Sequence, residues 1–315
     1  MLKAEFRAMG CGITVLLDNE DSRAFNALQQ VPAWFEEWEQ ALSRFRPDSE
    51  LNRLNHSAGS KFLASPILWE VLNVALENAD WSAGLVVPTI LKSLEEAGYI
   101  SSFDPSLPGA EYSRQTTATF ASDEAWKTGQ TGWGDIRLDQ SRLTITIPAA
   151  MKLDLGGVAK GWAAAQAMQR LRKFGPVLVN AGGDIAISGL DRDGDSWVVS
   201  IEDPLQFQES LGELSLGKCG VATSGIDYRR WLQNGAVKHH IIDPRTGEPA
   251  QTDLMTASIL APDIIRAEAA AKAVLILGSQ AGQDWLKERP QLAGLLALQD
   301  GSLIYCGDIK EYLRS

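Results

Sequence analysis

The chain lacks the features that mark a membrane, nucleic-acid-binding or disulfide-framed protein. Its 315 residues contain no apolar run of about 18, the length a spanning helix needs. Basic residues are outnumbered, 29 Lys and Arg against 40 Asp and Glu, for a formal net charge of −11. That balance argues against broad contact with a nucleic acid backbone or an anionic membrane, since each needs a basic face. Cysteine is scarce: Cys11, Cys219 and Cys306 are far apart and odd in number, which points to small buried hydrophobes rather than a disulfide framework or metal spacing. Histidine is limited to His56, His239 and His240. The opening stretch, residues 1–18, alternates like a strand and has no apolar segment followed by a small-residue cleavage site, so a cytoplasmic location is expected. Internal repeats and low-complexity tracts are absent.

What remains is ordinary soluble composition, 45% hydrophobic and 22% charged, in a chain long enough to bury a substantial core. Residues 4–17 read as a strand interrupted by Gly10 and Gly12. Apolar spacing predicts a helix over residues 21–45, kinked or restarted at Pro32. Short helices are expected after Ser49 and over residues 66–81, and Pro88 suits the first turn of another. Residues 101–131, rich in Ser, Thr, Pro and acidic groups, read as an irregular excursion. A hairpin is expected over residues 135–147, then strands at 177–180, 197–201, 213–216, 220–223, 239–242 and 255–260. An apolar helix over 264–277, a second over 280–288 and two terminal strands complete the pattern. Helices and strands do not alternate regularly, so the expected class is α+β, with mixed β-sheets and packed helices in a single domain over residues 1–315.

The stretch from Lys152 to Asp184 concentrates the chemistry. Asp154 ends a short apolar segment, Gly156 and Gly157 follow, and a helix carrying Lys160 begins at once. A second glycine turn, Ala181-Gly182-Gly183-Asp184, follows the next strand. Glycines let a bound group approach the backbone, and the N–H groups opening a helix attract anions. A lysine one turn in suits phosphate as a point charge. By pattern alone, Lys160 reads as a solvated surface lysine.

Five islands stand together: Met9-Gly10, SRFRPDSELNRLN (residues 43–55), VVPT (residues 86–89), LDLGGVAKG with VNAGGD, and ATSGIDYRRW followed by HHIIDPRTGEPA. In this order they resemble the FAD-dependent flavin transferases, the ApbE-like family, over about residues 9–278. The resemblance implies the fold of that family. It also implies FAD binding, a divalent metal such as Mg²⁺, and transfer of the FMN half of FAD to a Thr or Ser hydroxyl of a target protein. A metal-dependent FAD pyrophosphatase releasing FMN and AMP is the alternative within the family. By the resemblance, Met9 lies on the flavin nucleotide and Phe45 beside the adenine. Leu85, Val86 and Val87 line the nucleotide, Asp154 and Lys160 contact FAD, and Ile241 lines the site. The Gly157 carbonyl faces the metal. His240 is the candidate base for the acceptor hydroxyl, a task that an unperturbed imidazole near ~6.5 suits. Asp243 and Thr246 read as turn-forming, and Thr223-Ser224-Gly225 as a tight turn rather than a nucleophile elbow.

Three departures from the family pattern stand out. The helix over residues 264–277 carries Glu268 and Lys272 where the family has an Asp and, four residues on, an oxygen ligand. Glutamate can ligate, but a protonated lysine has no lone pair to give. Val87 stands where an acidic residue is usual, and Ala165-Gln166 where an Asp is usual. Two readings follow: a metal held by Glu268, the Gly157 carbonyl and phosphate oxygens, or a non-catalytic FAD-binding protein in which the Lys272 ammonium replaces the metal, paired i,i+4 with Glu268.

Overall fold

A computed structural model describes residues 1–102, 132–206, 208–233 and 235–314. The expected excursion over 101–131 therefore lies almost wholly outside the described residues. The chain groups into two compact units, one of residues 1–37, 160–225 and 252–315, the other of residues 38–159 and 226–251. Among the described residues no helix is long and apolar enough to cross a membrane.

The first unit is built on an eight-stranded antiparallel sheet. Its strands run Leu2–Ala8, Cys11–Leu17, Val177–Ala181, Asp184–Ile187, Cys219–Gly225, Leu254–Ala261, Ala293–Leu298 and Leu303–Cys306, each hydrogen-bonded to the next. The single strand expected over residues 4–17 is a hairpin. Ala8 pairs with Cys11, and the two-residue turn puts Met9 at φ 51° and Gly10 at φ 70°, the conformation a right-twisted hairpin requires. Gly12 sits inside the second strand.

A two-stranded ribbon, Trp197–Glu202 with Ser210–Leu216, alternates buried and exposed residues. Its inward Trp197, Val199, Ile201, Leu214 and Leu216 pack in one cluster with Leu178, Ile185, Val221 and Leu295 of the sheet, as period-2 patterning dictates. The helix Ile264–Lys287 packs on the strands Cys219–Gly225 and Leu254–Ala261. It opens on Asp263, whose carboxylate accepts from the Arg266 N–H. The two helices expected here form one continuous element with a break at Gly278, φ 79°, where the Asp253 carboxylate caps Ser279.

The second unit holds the helices Glu50–His56, Pro66–Trp81 and Leu91–Glu96 and a three-stranded sheet of Lys61–Leu63, Thr144–Thr146 and Arg137–Asp139. Ser49 and Ser65 accept from Asn52 N–H and Leu68 N–H and so start the first two helices, as such side chains do at an N-cap. The helix expected over residues 21–45 is two, Ser22–Leu28 and Val31–Leu42, because Pro32 fits a first turn but not a helix interior. The strand expected over 239–242 is also corrected. A hairpin of Arg230–Gln233 and Ala236–His239 ends at His239, and Ile242–Asp243 pairs separately with Glu248–Pro249. His240 and Ile241 fall between the two pairs.

Candidate functional site

The candidate residues fall in both units and are described unit by unit. In the second, Arg44 follows the helix Val31–Leu42 and is the hub. Its Nε lies 2.9 Å from Asp154 Oδ2, with the two side chains 6% and 9% exposed. Its NH2 donates to the Tyr99 carbonyl at 2.7 Å. The guanidinium lies over the Phe45 ring at 4.1 Å and the Tyr99 ring at 4.6 Å. Few side chains other than arginine can pair, donate and stack at once. The loop that carries it is held by Asn52, which donates to the Arg44 and Arg46 carbonyls.

Tyr99 extends this cluster. Its ring meets Phe45 edge-on at 5.5 Å, stacks on Trp231 at 5.4 Å and 18°, and meets the His240 ring edge-on at 6.2 Å. Trp231 is locked by donating to the Ala97 carbonyl. Phe45, Asp154 and His240, read from distant parts of the sequence, thus gather around Arg44 and Tyr99. Arg44, Tyr99 and Trp231 went unread, because nothing in local spacing ties Arg44 to a carboxylate 110 residues later.

Asp154 is fixed at three atoms. Its N–H donates to the Pro88 carbonyl, and Oδ1 accepts from Gly156 N–H at 2.9 Å while Oδ2 takes Arg44. Leu85, Val86 and Val87 are buried, and Val86 N–H donates to Ser82 Oγ. Ile241 is buried and its carbonyl accepts from Ala250 N–H. The neighbouring His239 is buried and bonded to the Ala250 carbonyl at 3.1 Å; burial pushes its imidazole below the ordinary value. Asp243 grips Arg245 at 2.8 Å, and its carbonyl accepts from Thr246 and Gly247 N–H, the turn-forming role expected.

In the first unit, Met9 is half-buried at its strained turn position. The strand Val177–Ala181 turns through Gly182 and Gly183, φ 64° and 93°, with Asn180 Oδ1 accepting from Gly183 N–H. A side chain at Gly182 would also meet Cys11 at 2.7 Å. The turn delivers Asp184, 2% exposed, to an ion pair with Lys160. Lys160 is therefore not a solvated lysine; its side chain is 17% exposed.

Glu268 completes the group. It is 1% exposed, with Oε1 at 2.9 Å from Lys272 Nζ and 3.9 Å from Lys160 Nζ. Oε2 accepts from Gly161 N–H at 3.0 Å. A Cβ at Gly161 would stand 2.5 Å from that oxygen, so glycine is what lets the helix approach. Burial pushes the Glu268 carboxyl above the ordinary carboxylate range, against the pull of the Lys272 charge.

This arrangement does not fit a divalent cation at Glu268. One oxygen holds an ammonium and the other a backbone N–H. A cation bound ~2.1 Å from Oε1 would sit no more than roughly 5 Å from Lys272 Nζ, where the ammonium repels it. Among the described residues no three His, Cys, Asp or Glu side chains gather as a metal site.

A model of the ApbE family matches residues 9–296. The chain belongs to the ApbE family. Curated relatives include the FAD:protein FMN transferase of Treponema pallidum, 31% identical over 92% of this chain and 82% of its own length. That of Vibrio cholerae is 28% identical over 80% and 74%. Among solved structures, the ApbE protein of Thermotoga maritima superposes with a TM-score of 0.84 at 24% identity, covering 100% of this chain and 99% of its own. The flavin transferase ApbE from Vibrio cholerae gives 0.77 at 24%, with 99% of both chains covered. At these identities the structural likeness establishes the fold, the α+β ApbE architecture that the islands led one to expect.

Proposed function

We propose that this ApbE-family chain is an FAD:protein FMN transferase, moving the FMN moiety of FAD onto a Thr or Ser hydroxyl of a target protein. One observation carries the reading. The family match spans residues 9–296, the whole run of islands from Met9 to Ala250, and curated relatives bearing that name align over most of their own lengths. The cluster around Arg44 and Tyr99 supports it by holding Phe45, Asp154 and His240 together.

In this reading Phe45 takes the adenine face and Asp154 accepts from nucleotide hydroxyl or amino groups. Leu85, Val86, Val87 and Ile241 supply apolar wall. In the first unit, Met9 offers a thioether to an aromatic ring and Lys160 an ammonium to phosphate. The acceptor hydroxyl oxygen attacks the FMN-side phosphorus as its proton passes to an imidazole nitrogen of His240. The new O–P bond forms as the bond to the AMP oxygen breaks, and AMP leaves with that electron pair.

Purified protein given FAD and a target carrying an acceptor Thr is expected to yield a covalently fluorescent target and one AMP per flavin attached. FMN and AMP released without a target would establish the pyrophosphatase instead. The Glu268–Lys272 pair favours a second reading, FAD binding without turnover. Saturable binding with neither product identifies that case.

A further inference from the structure

Two lysines and two carboxylates form one buried group in the first unit. Asp184 and Glu268 are 2% and 1% exposed, while the Lys160 and Lys272 side chains keep 17% and 16%. The two carboxylate side chains therefore lie deeper than the two lysine side chains. Lys160 pairs with Asp184 and comes within 3.9 Å of the same Glu268 oxygen that Lys272 holds at 2.9 Å. Between Ala267 and Leu277 the helix carries no charge other than Glu268 and Lys272, and its alanines there are fully buried. A lysine in such a run needs a fixed partner, and it has one. An ammonium carries three donors, and Lys272 uses one of them on Glu268.

We propose that Lys272 stands where this chain would otherwise hold a divalent cation, so that the diphosphate of FAD is met by the paired ammonium groups of Lys160 and Lys272 without a metal. The proposal rests on the FAD reading and deepens it. Glu268 on this view orients Lys272 rather than ligating an ion, and Gly161 fixes Glu268 by its N–H. Phosphate oxygens accept charge-assisted hydrogen bonds from fixed ammonium donors.

The experiment is a titration of the purified protein with FAD, in excess EDTA and again with Mg²⁺, followed by flavin fluorescence. Mn²⁺ uptake is counted in parallel by electron paramagnetic resonance, with and without FAD. The expected result is saturable FAD binding whose Kd changes less than about twofold between the two buffers, with no tightly held Mn²⁺. Binding weakened about tenfold or more by EDTA, or one tight Mn²⁺ per chain, overturns the proposal while leaving the FAD reading intact. No FAD binding in either buffer fails both. Lys272→Thr frees Glu268 Oε1 and is expected to gain a Mn²⁺ site and a chelator-sensitive Kd. Lys272→Arg keeps the charge and is expected to remain insensitive to chelator. A folded Lys272→Thr that binds FAD as tightly as the parent and takes up no Mn²⁺ overturns the proposal. The unsubstituted protein decides the question if that variant does not fold.

Discussion

Replacing Arg44 by lysine keeps a charge but loses the planar fork that reaches Asp154 and the Tyr99 carbonyl together. Arg44→Lys is expected to cost about 2 kcal/mol of stability, the value of one charge-assisted bond at a buried site. FAD affinity should fall with it, because Asp154 loses its orienting partner; thermal denaturation and a flavin titration read the two. His240 sits against Tyr99 rather than in a strand ladder, so its substitution spares the fold. His240→Gln is expected to lower turnover by about 10²–10⁴, the usual worth of a general base, with the Kd for FAD nearly unchanged. An equal loss in binding would assign His240 to the nucleotide instead. At this scale the sequence showed residue types well. Asp154, Lys160, His240 and Glu268 could be picked out, and so could the i,i+4 pair of Glu268 with Lys272, but Arg44, Asp184 and Tyr99, which the first three meet, lie tens of residues or more away and were invisible.

Among the elements, the helix Ile264–Lys287 depends on one glycine of the strand beneath it. A Cβ at Gly220 would stand 2.1 Å from Ile264 N and 2.4 Å from its Cα. Those atoms are backbone at a helix start and cannot rotate away. Gly220→Ala is expected to destabilise the protein by about 3 kcal/mol or more, read by denaturant midpoint, even though glycine inside a strand carries an entropic cost that alanine lacks. The helix Pro66–Trp81 was legible to the residue, because Ser65, Pro66 and an apolar stripe mark it locally. The turn at Met9-Gly10 was not, since a methionine at positive φ goes against its own preference and is held by the pairing on either side. The break at Gly278 was visible as a gap between two helical patterns; its capping by Asp253 depends on a strand outside the helix.

For the whole molecule, buried His239 sets the response to mild acid. Its imidazole is held below the ordinary 6.5 by burial, so the unfolded chain binds the proton more readily than the folded one. Its contribution is fully present above about 6.5 and is lost as pH falls below that value. Thermal midpoints measured from pH 8 down to about 5 should decline across the lower half of that range, and His239→Gln should flatten the decline. Asp18, held below the ordinary range mainly by the Arg192 N–H, acts later. Its contribution is present above about 3.9 and lost as pH falls further.

The order of elements, the α+β class and the chemistry-bearing islands all follow from local pattern: period, caps, glycine turns and charge, which a chain carries wherever it folds. Pairing does not. The strand Cys11–Leu17 bonds to Val177–Ala181 across the segment that builds most of the second unit, and only the folded sheet brings them together. The same holds for the meeting of Arg44 with Asp154 and of Lys160 with Asp184. Above all it holds for Glu268. Its residue type permits a metal, but burial against two ammonium groups and a backbone N–H leaves its oxygens already engaged.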